Sequence, residues 1–253
     1  MAGSTASGSM MGDSKTCVLC GAAPATTREH IPPESFFERP YPSDLITVPS
    51  CEPCNLGTHQ DDDYALSFLV ALDFPGLAGS PTLEKVRNRV RRGLNRPGYG
   101  GLQQRLRDAS TITPVEEPQS GAIILSSATR PEGARILAVL RKQVRGIAYH
   151  VTNEIVPRST YVGAERIYGN DVVPTTDASM WRAVADEAMR GTVGSRGDVF
   201  RYAFKTVSKS ACAAVVWLEY WQVYGFAAMI FQPGFSPPQR VSLPFWKDQP
   251  TAR

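Results

Sequence analysis

Histidine, net charge and long apolar runs are all scarce in this chain, and each shortage narrows what it can do. Three histidines occur in 253 residues, so any imidazole chemistry rests on His30, His59 or His150. A formal net charge of +3 is too small to attract a polyanion over the whole surface, so nucleic-acid binding would have to come from local clustering of basic residues. No stretch approaches the ~18 apolar residues that cross a bilayer. The opening residues 1–11 lack both the basic segment and the apolar core of a secretory signal. A cytoplasmic protein with no membrane partner is the resulting expectation. Residues 1–15 read as a flexible leader, small and polar, with Met10 or Met11 as an alternative start. Internal repeats and low-complexity tracts are absent from the sequence.

Cysteine is scarce too, at five residues, but four of the five lie close to the start in two CxxC pairs, Cys17-Val18-Leu19-Cys20 and Cys51-Glu52-Pro53-Cys54. In an intracellular chain that spacing signals metal ligation rather than disulfides. Zinc takes four thiolates in a tetrahedron, and CxxC lets one tight turn offer two of them. A segment this short buries little core of its own, so the metal would supply folding free energy. Cys212 stands alone among Ala and Val and reads as a small buried hydrophobe.

Between the pairs lies Arg28-Glu29-His30-Ile31-Pro32-Pro33, and after them come Asn55 and His59. Neighbours in a strand face opposite sides, but at a strand end bent by prolines Glu29 and His30 can reach one site. Asn55 and His59 are four apart, on one face of a helix that starts at the second pair. A carboxylate, an amide and an imidazole can together hold a hard cation and leave positions open for water and phosphate. Each residue also has a plainer reading: Glu29-His30 as a surface pair, Asn55 as a helix cap, His59 as an exposed helix residue. Asp61, Asp62 and Asp63 read as first-turn acids that complement a helix dipole, and His150 as structural.

The combination CxxC, Glu-His-Ile-Pro, CxxC-Asn resembles the HNH (ββα-metal, His-Me finger) endonucleases of the zinc-bound four-cysteine type. The resemblance covers residues 16–63, and the phrase Leu45-Ile46-Thr47-Val48-Pro49-Ser50 leading into Cys51 matches that family's second strand and helix start. The resemblance implies a nuclease that hydrolyses phosphodiester bonds, with DNA as the first expectation over RNA. His30 would be the general base. Glu29 and Asn55 would be ligands of a catalytic magnesium or manganese ion, with His59 a third ligand or a phosphate contact. Zinc would be held separately by Cys17, Cys20, Cys51 and Cys54. One position departs from the family: the Asn that orients the base a few residues before the third cysteine is Ile46 here, with Ser43 and Asp44 the nearest polar residues. Two alternatives stay open beside the nuclease: a non-catalytic zinc-dependent module that binds nucleic acid or protein, and a gated defence or toxin effector.

The remaining pattern is α+β. It predicts a zinc-stapled ββα module over residues 16–75 and an α+β body over 76–253. A helix is expected over Asp61–Asp73, stopped by Pro75-Gly76, and a basic helix over about 82–96, opened by Pro81 and stopped by Asn95-Arg96-Pro97-Gly98. The basic helix carries Lys85, Arg87, Arg89, Arg91, Arg92 and Arg96, whose arginines are candidate phosphate contacts that would position a backbone without reading sequence. A looser stretch follows through Pro114 and Pro118, then a strand at Ala122–Leu125. A long helix is expected from Pro131 to His150, with Ile136, Leu137, Leu140, Val144 and Ile147 on one face. Period-two alternation over Asp198–Phe204 and the aromatic-rich Ala213–Phe231 predict a C-terminal antiparallel sheet with a hairpin break near Tyr224-Gly225. Trp217, Tyr220, Trp221, Tyr224 and Phe226 read as the core of that sheet.

Overall fold

The computed structural model describes residues 15–71, 80–116, 121, 123–129, 132–168, 176–209 and 211–235. The expected leader up to residue 14, the Pro75-Gly76 stop, Pro118, Ala122 and Pro131 lie outside the described residues. Among the described residues, no helix is long and apolar enough to cross a membrane.

Strands β1 (Thr27–Ile31) and β2 (Ile46–Ser50) pair antiparallel, Glu29 opposite Val48 and Ile31 opposite Ile46. Their alternation appears directly as burial: Glu29, Ile31, Ile46 and Val48 are buried, whereas Arg28 is exposed. The chain then enters α1 (Glu52–Leu56), with Pro53 in its first turn, and α2 (His59–Ala71). Every residue from Tyr64 to Val70 is buried, so α2 is an inner helix. Helix α3 (Pro81–Leu94) has the expected bounds because Ser80 caps it, its Oγ accepting the Leu83 N–H at 3.2 Å.

The stretch expected to be loose is ordered. It forms α4 (Gly100–Asp108) and β3 (Ser110–Glu116), and β3 pairs antiparallel with β4 (Ile123–Thr129). Pro114 hid β3 from the sequence reading, but in a two-stranded ladder each strand has one unpaired edge, where a residue without an N–H is tolerated.

Helix α5 (Gly133–Thr152) ends at Asn153, which takes φ 58° and donates its N–H to Tyr149 at 2.8 Å. Strand β5 (Val162–Tyr168), α6 (Thr176–Ala188) and β6 (Thr192–Arg196) follow, none of them foreseen from the sequence. Last come β7 (Phe200–Lys209), β8 (Cys212–Tyr220) and β9 (Tyr224–Phe231). These strands make a five-stranded antiparallel sheet in the order β5-β9-β8-β7-β6, so the chain is α+β with the expected C-terminal sheet. Asp198 precedes β7 and accepts the Thr82 hydroxyl at 2.9 Å instead.

Both faces of the sheet are covered, which explains the aromatic density. Ala203, Val215, Trp217 and Ala227 pack with Trp181, Val184 and Ala188 of α6. The alternate residues, Tyr202, Phe204, Val216, Leu218 and Phe226, join a larger core with Leu140, Val144 and Ile147 of α5. That core is continuous with Ile31 and Val48 of the N-terminal hairpin and Tyr64 and Leu69 of α2, so α5 is buried between the cysteine-bearing segment and the sheet. Gly146 permits the closeness: a Cβ there would lie 2.5 Å from Ile31 Cγ1.

The β8–β9 turn falls at Trp221–Val223, directly before the expected Tyr224-Gly225, and Gly225 itself sits inside β9 opposite Glu219. Trp221 and Gln222 both take positive φ, 49° and 60°, and the Val223 N–H closes the turn on the Tyr220 carbonyl at 3.0 Å. Burial holds Trp221 in this conformation, its ring stacked on Phe36 at 5.6 Å. Gln222 is exposed and has no such anchor. Left-handed backbone costs a non-glycine residue about 1–2 kcal/mol, more than the ~0.5–1 kcal/mol that glycine adds in chain entropy. Gln222→Gly is therefore expected to stabilise the protein by roughly 0.5–1 kcal/mol, read as a higher denaturant midpoint at unchanged slope.

Candidate metal centre and the groups around it

The sulfurs of Cys17, Cys20, Cys51 and Cys54 all lie within 4.8 Å of one another, with Cys20 and Cys51 at 4.0 Å. Zinc–sulfur bonds of about 2.3 Å place tetrahedral sulfurs about 3.8 Å apart, so the set has the dimensions of a site for a metal such as zinc. Backbone bonds join the first knuckle to β2: Val18 N–H to the Pro49 carbonyl at 2.9 Å and Thr26 N–H to Ser50 at 3.0 Å. The electrostatics also suit a cation. Backbone N–H groups of Ala23 and Ala22 pull the Cys20 thiol down to about 6, which favours the thiolate. Burial, then the neighbouring thiols, push Cys54 upward, a penalty that a divalent ion would reverse by compensating the crowded sulfurs.

A second cation site lies next to it, and a side chain fills it. Lys142 of α5 places its ammonium 2.9 Å from Glu29 Oε1, 2.6 and 2.7 Å from the two oxygens of Asp62, and 3.1 Å from the Thr58 hydroxyl. All three charged side chains are buried, with exposures of 3–6%. Burial drives the Asp62 carboxyl up to about 6, against the opposing pull of Lys142. Asp61 pairs with Arg135, also on α5, at 2.5 Å. Two of the three acids thus do more than complement a dipole: they tie α2 to α5. Asp63 instead lies 3.8 Å from His59.

The remaining candidate residues are spread over different surfaces. Asn55 donates its side-chain N–H groups to Thr27 Oγ1 and the Arg28 carbonyl, both at 3.1 Å, fastening α1 to β1. His30 lies within β1 and not at a bend, so it faces away from Glu29. Half-buried, it sits with Nε2 3.3 Å from Glu34. The His59 side chain is 72% exposed. Among the described residues, Glu29, His30 and His59 do not come together as a three-ligand group, and Glu29 is already bonded to Lys142, whereas the bonds of Asn55 use its Nδ2 and not the Oδ1 that would meet a metal. Glu29, Asn55 and His59 therefore do not fit a magnesium or manganese ion while Lys142 is in place. Ile46 is buried opposite Ile31, and Asp44 lies 3.6 Å from Arg196. Glu34 is the carboxylate beside His30.

The basic helix divides in two. Arg87 reaches Glu84 at 2.8 Å and the Val70 carbonyl at 3.2 Å. Arg89 donates to the carbonyls of Phe37, at 2.7 Å, and Ser35, and pairs with Glu38 at 3.0 Å. These two hold α3 against α2 and the β1–β2 connection, so the expectation of phosphate contact does not describe their bonds here. Arg91, Arg92 and Arg96 are exposed. Arg92 and Arg96, with Arg89, line a groove of about 280 Å³ that runs from Ser35 to Tyr99. His150 is exposed and meets Tyr202 edge-on at 6.1 Å. Cys212 is half-buried, its thiol donating to the Ala214 carbonyl at 3.2 Å.

The sequence shows Arg141, Lys142 and Arg145 as a weaker second basic group, but Glu34 and the pairing of Lys142 with Glu29 and Asp62 were not foreseen. One signal was available: Arg135 and Lys142 are seven apart on an otherwise apolar helix face, where cations need acids opposite. No protein-family model, curated protein or solved structure matches this chain.

Proposed function

We propose that the chain acts on nucleic acid, DNA in the first instance, as an HNH-type endonuclease, with His30 as the base that takes a proton from the attacking water. The observation that carries this reading is the His30–Glu34 pair at 3.3 Å. It is open to solvent on β1, and the arginine-lined groove begins at Ser35 beside it. A carboxylate next to an imidazole fixes its ring and stabilises the imidazolium that forms as it takes the proton. Arg92 and Arg96 would hold the backbone phosphates on either side of the scissile bond. Zinc on the four cysteines would hold the hairpin that presents His30. The test is plasmid cleavage in magnesium, in manganese and without added metal. His30→Ala should lower the rate at least 100-fold with zinc content and unfolding midpoint unchanged. Equal cleavage by the variant overturns the assignment.

A second reading is a zinc-dependent binding module that does not cut. It is favoured by the Lys142 ammonium lying where Glu29 would otherwise meet a divalent ion. Retention of nucleic acid with no cleavage under any metal condition would select it.

A further inference from the structure

A cleft of about 640 Å³ opens between the cysteine knuckles, α5 and the segment that leads into β5. Its wall is unusually cationic. Arg141, Arg145 and Arg158 all line it, and among the described residues none of the three is in an ion pair. Arg145 is more than nine-tenths buried and donates only to the carbonyls of Thr160, at 2.9 Å, and Arg158, at 3.3 Å. Its Nε has no hydrogen-bond partner, nor does the buried hydroxyl of Thr160 on the same wall. A buried guanidinium normally meets a carboxylate, and unsatisfied buried donors cost free energy. Burial and the adjacent Arg141 and Arg158 lower the Arg145 pKa from its usual value, and an anion would oppose both effects.

The cleft also offers rings. Tyr161 lies under the Arg141 guanidinium at 5.4 Å and against Phe231 at 5.4 Å, and Phe231 stacks on Phe235 at 4.5 Å. Tyr161 and Phe235 both line the cleft. Guanidinium groups recognise phosphate by paired hydrogen bonds, and aromatic faces accept bases of any identity. The volume falls within the range of small-ligand sites.

We infer that this cleft binds the phosphate of a nucleotide, with Arg141, Arg145 and Arg158 on the phosphate oxygens and Tyr161 and Phe235 beside the base. The nucleotide can be free or the phosphorylated end of a strand. The inference does not rest on His30, because its readout is binding and not cleavage.

The test is calorimetric titration of the full-length protein with ATP, with a 5′-phosphorylated oligonucleotide and with its 5′-hydroxyl counterpart. Tight binding of ATP identifies a free nucleotide. Preference for the phosphorylated over the hydroxyl strand, without ATP binding, identifies a strand end. In either case Arg158→Gln and Arg141→Gln should each weaken binding at least tenfold, as loss of a charge-assisted bond does. Arg158 is exposed, so its variant keeps the fold, and circular dichroism confirms it for both. Binding of none of the three probes, or binding by Arg158→Gln and Arg141→Gln equal to the parent's, overturns the inference.

Discussion

Cys51→Ser, or a chelator strong enough to strip the four-cysteine site, is expected to unfold residues 15–58 and to lower the thermal midpoint of the whole chain by more than 10 °C. Elements β1, β2 and α1 are five residues each, too short to hold themselves together. A two-stranded hairpin is marginal in water by itself. Structural zinc contributes about 10–16 kcal/mol in small zinc modules near neutral pH, as much as the entire stability of a typical domain. The loss would spread, because Ile31 and Val48 share one core with α5 and the sheet. Atomic absorption should find one zinc per chain. Acid should release it, since zinc needs thiolates and protons compete for them. An unchanged unfolding curve after full metal removal would refute the structural role.

Lys142→Met is expected to cost about 3–5 kcal/mol, the usual penalty when one partner of a buried ion pair is removed. Two buried carboxylates, Glu29 and Asp62, would be left facing each other with only Thr58 beside them. Adding Glu29→Gln and Asp62→Asn should recover much of the loss, because charge, not volume, is the problem. The single variant also tests whether the two carboxylates can hold a divalent ion once the lysine is gone. If the pair of carboxylates is a divalent-ion site that Lys142 fills, millimolar manganese should raise the midpoint of Lys142→Met and leave the parent unchanged. If manganese has no effect on either, the cage is an internal clamp. A midpoint for Lys142→Met equal to the parent's would refute the buried triad itself.

The four-cysteine half of the candidate site, which could hold a metal such as zinc, was legible in the sequence because its chemistry is local. CxxC places two thiolates in one turn, and four sulfurs converge wherever the hairpin between them closes. Helix α3 was legible for the same reason: its Pro81 start and its stop at Asn95-Arg96-Pro97-Gly98 lie at the helix's own flanks. The face of α5 and the aromatic sheet strands were readable from periodicity.

What only the tertiary structure decided is which partner each charge meets. Glu29 finds Lys142 at a separation of 113 residues, and no spacing rule within the Glu29-His30 motif announces an ammonium from a later helix. The same holds for Glu34 at His30, since an i+4 contact beyond a strand end depends on how the chain turns. The sheet order, with β5 against β9, and the positive φ at Trp221 and Gln222 arise likewise from packing. Local propensity disfavours such a turn without glycine, and the burial of Trp221 against Phe36 overrides it. Motif spacing determined which four cysteines could hold a metal, while long-range burial determined that the carboxylate near them holds a lysine.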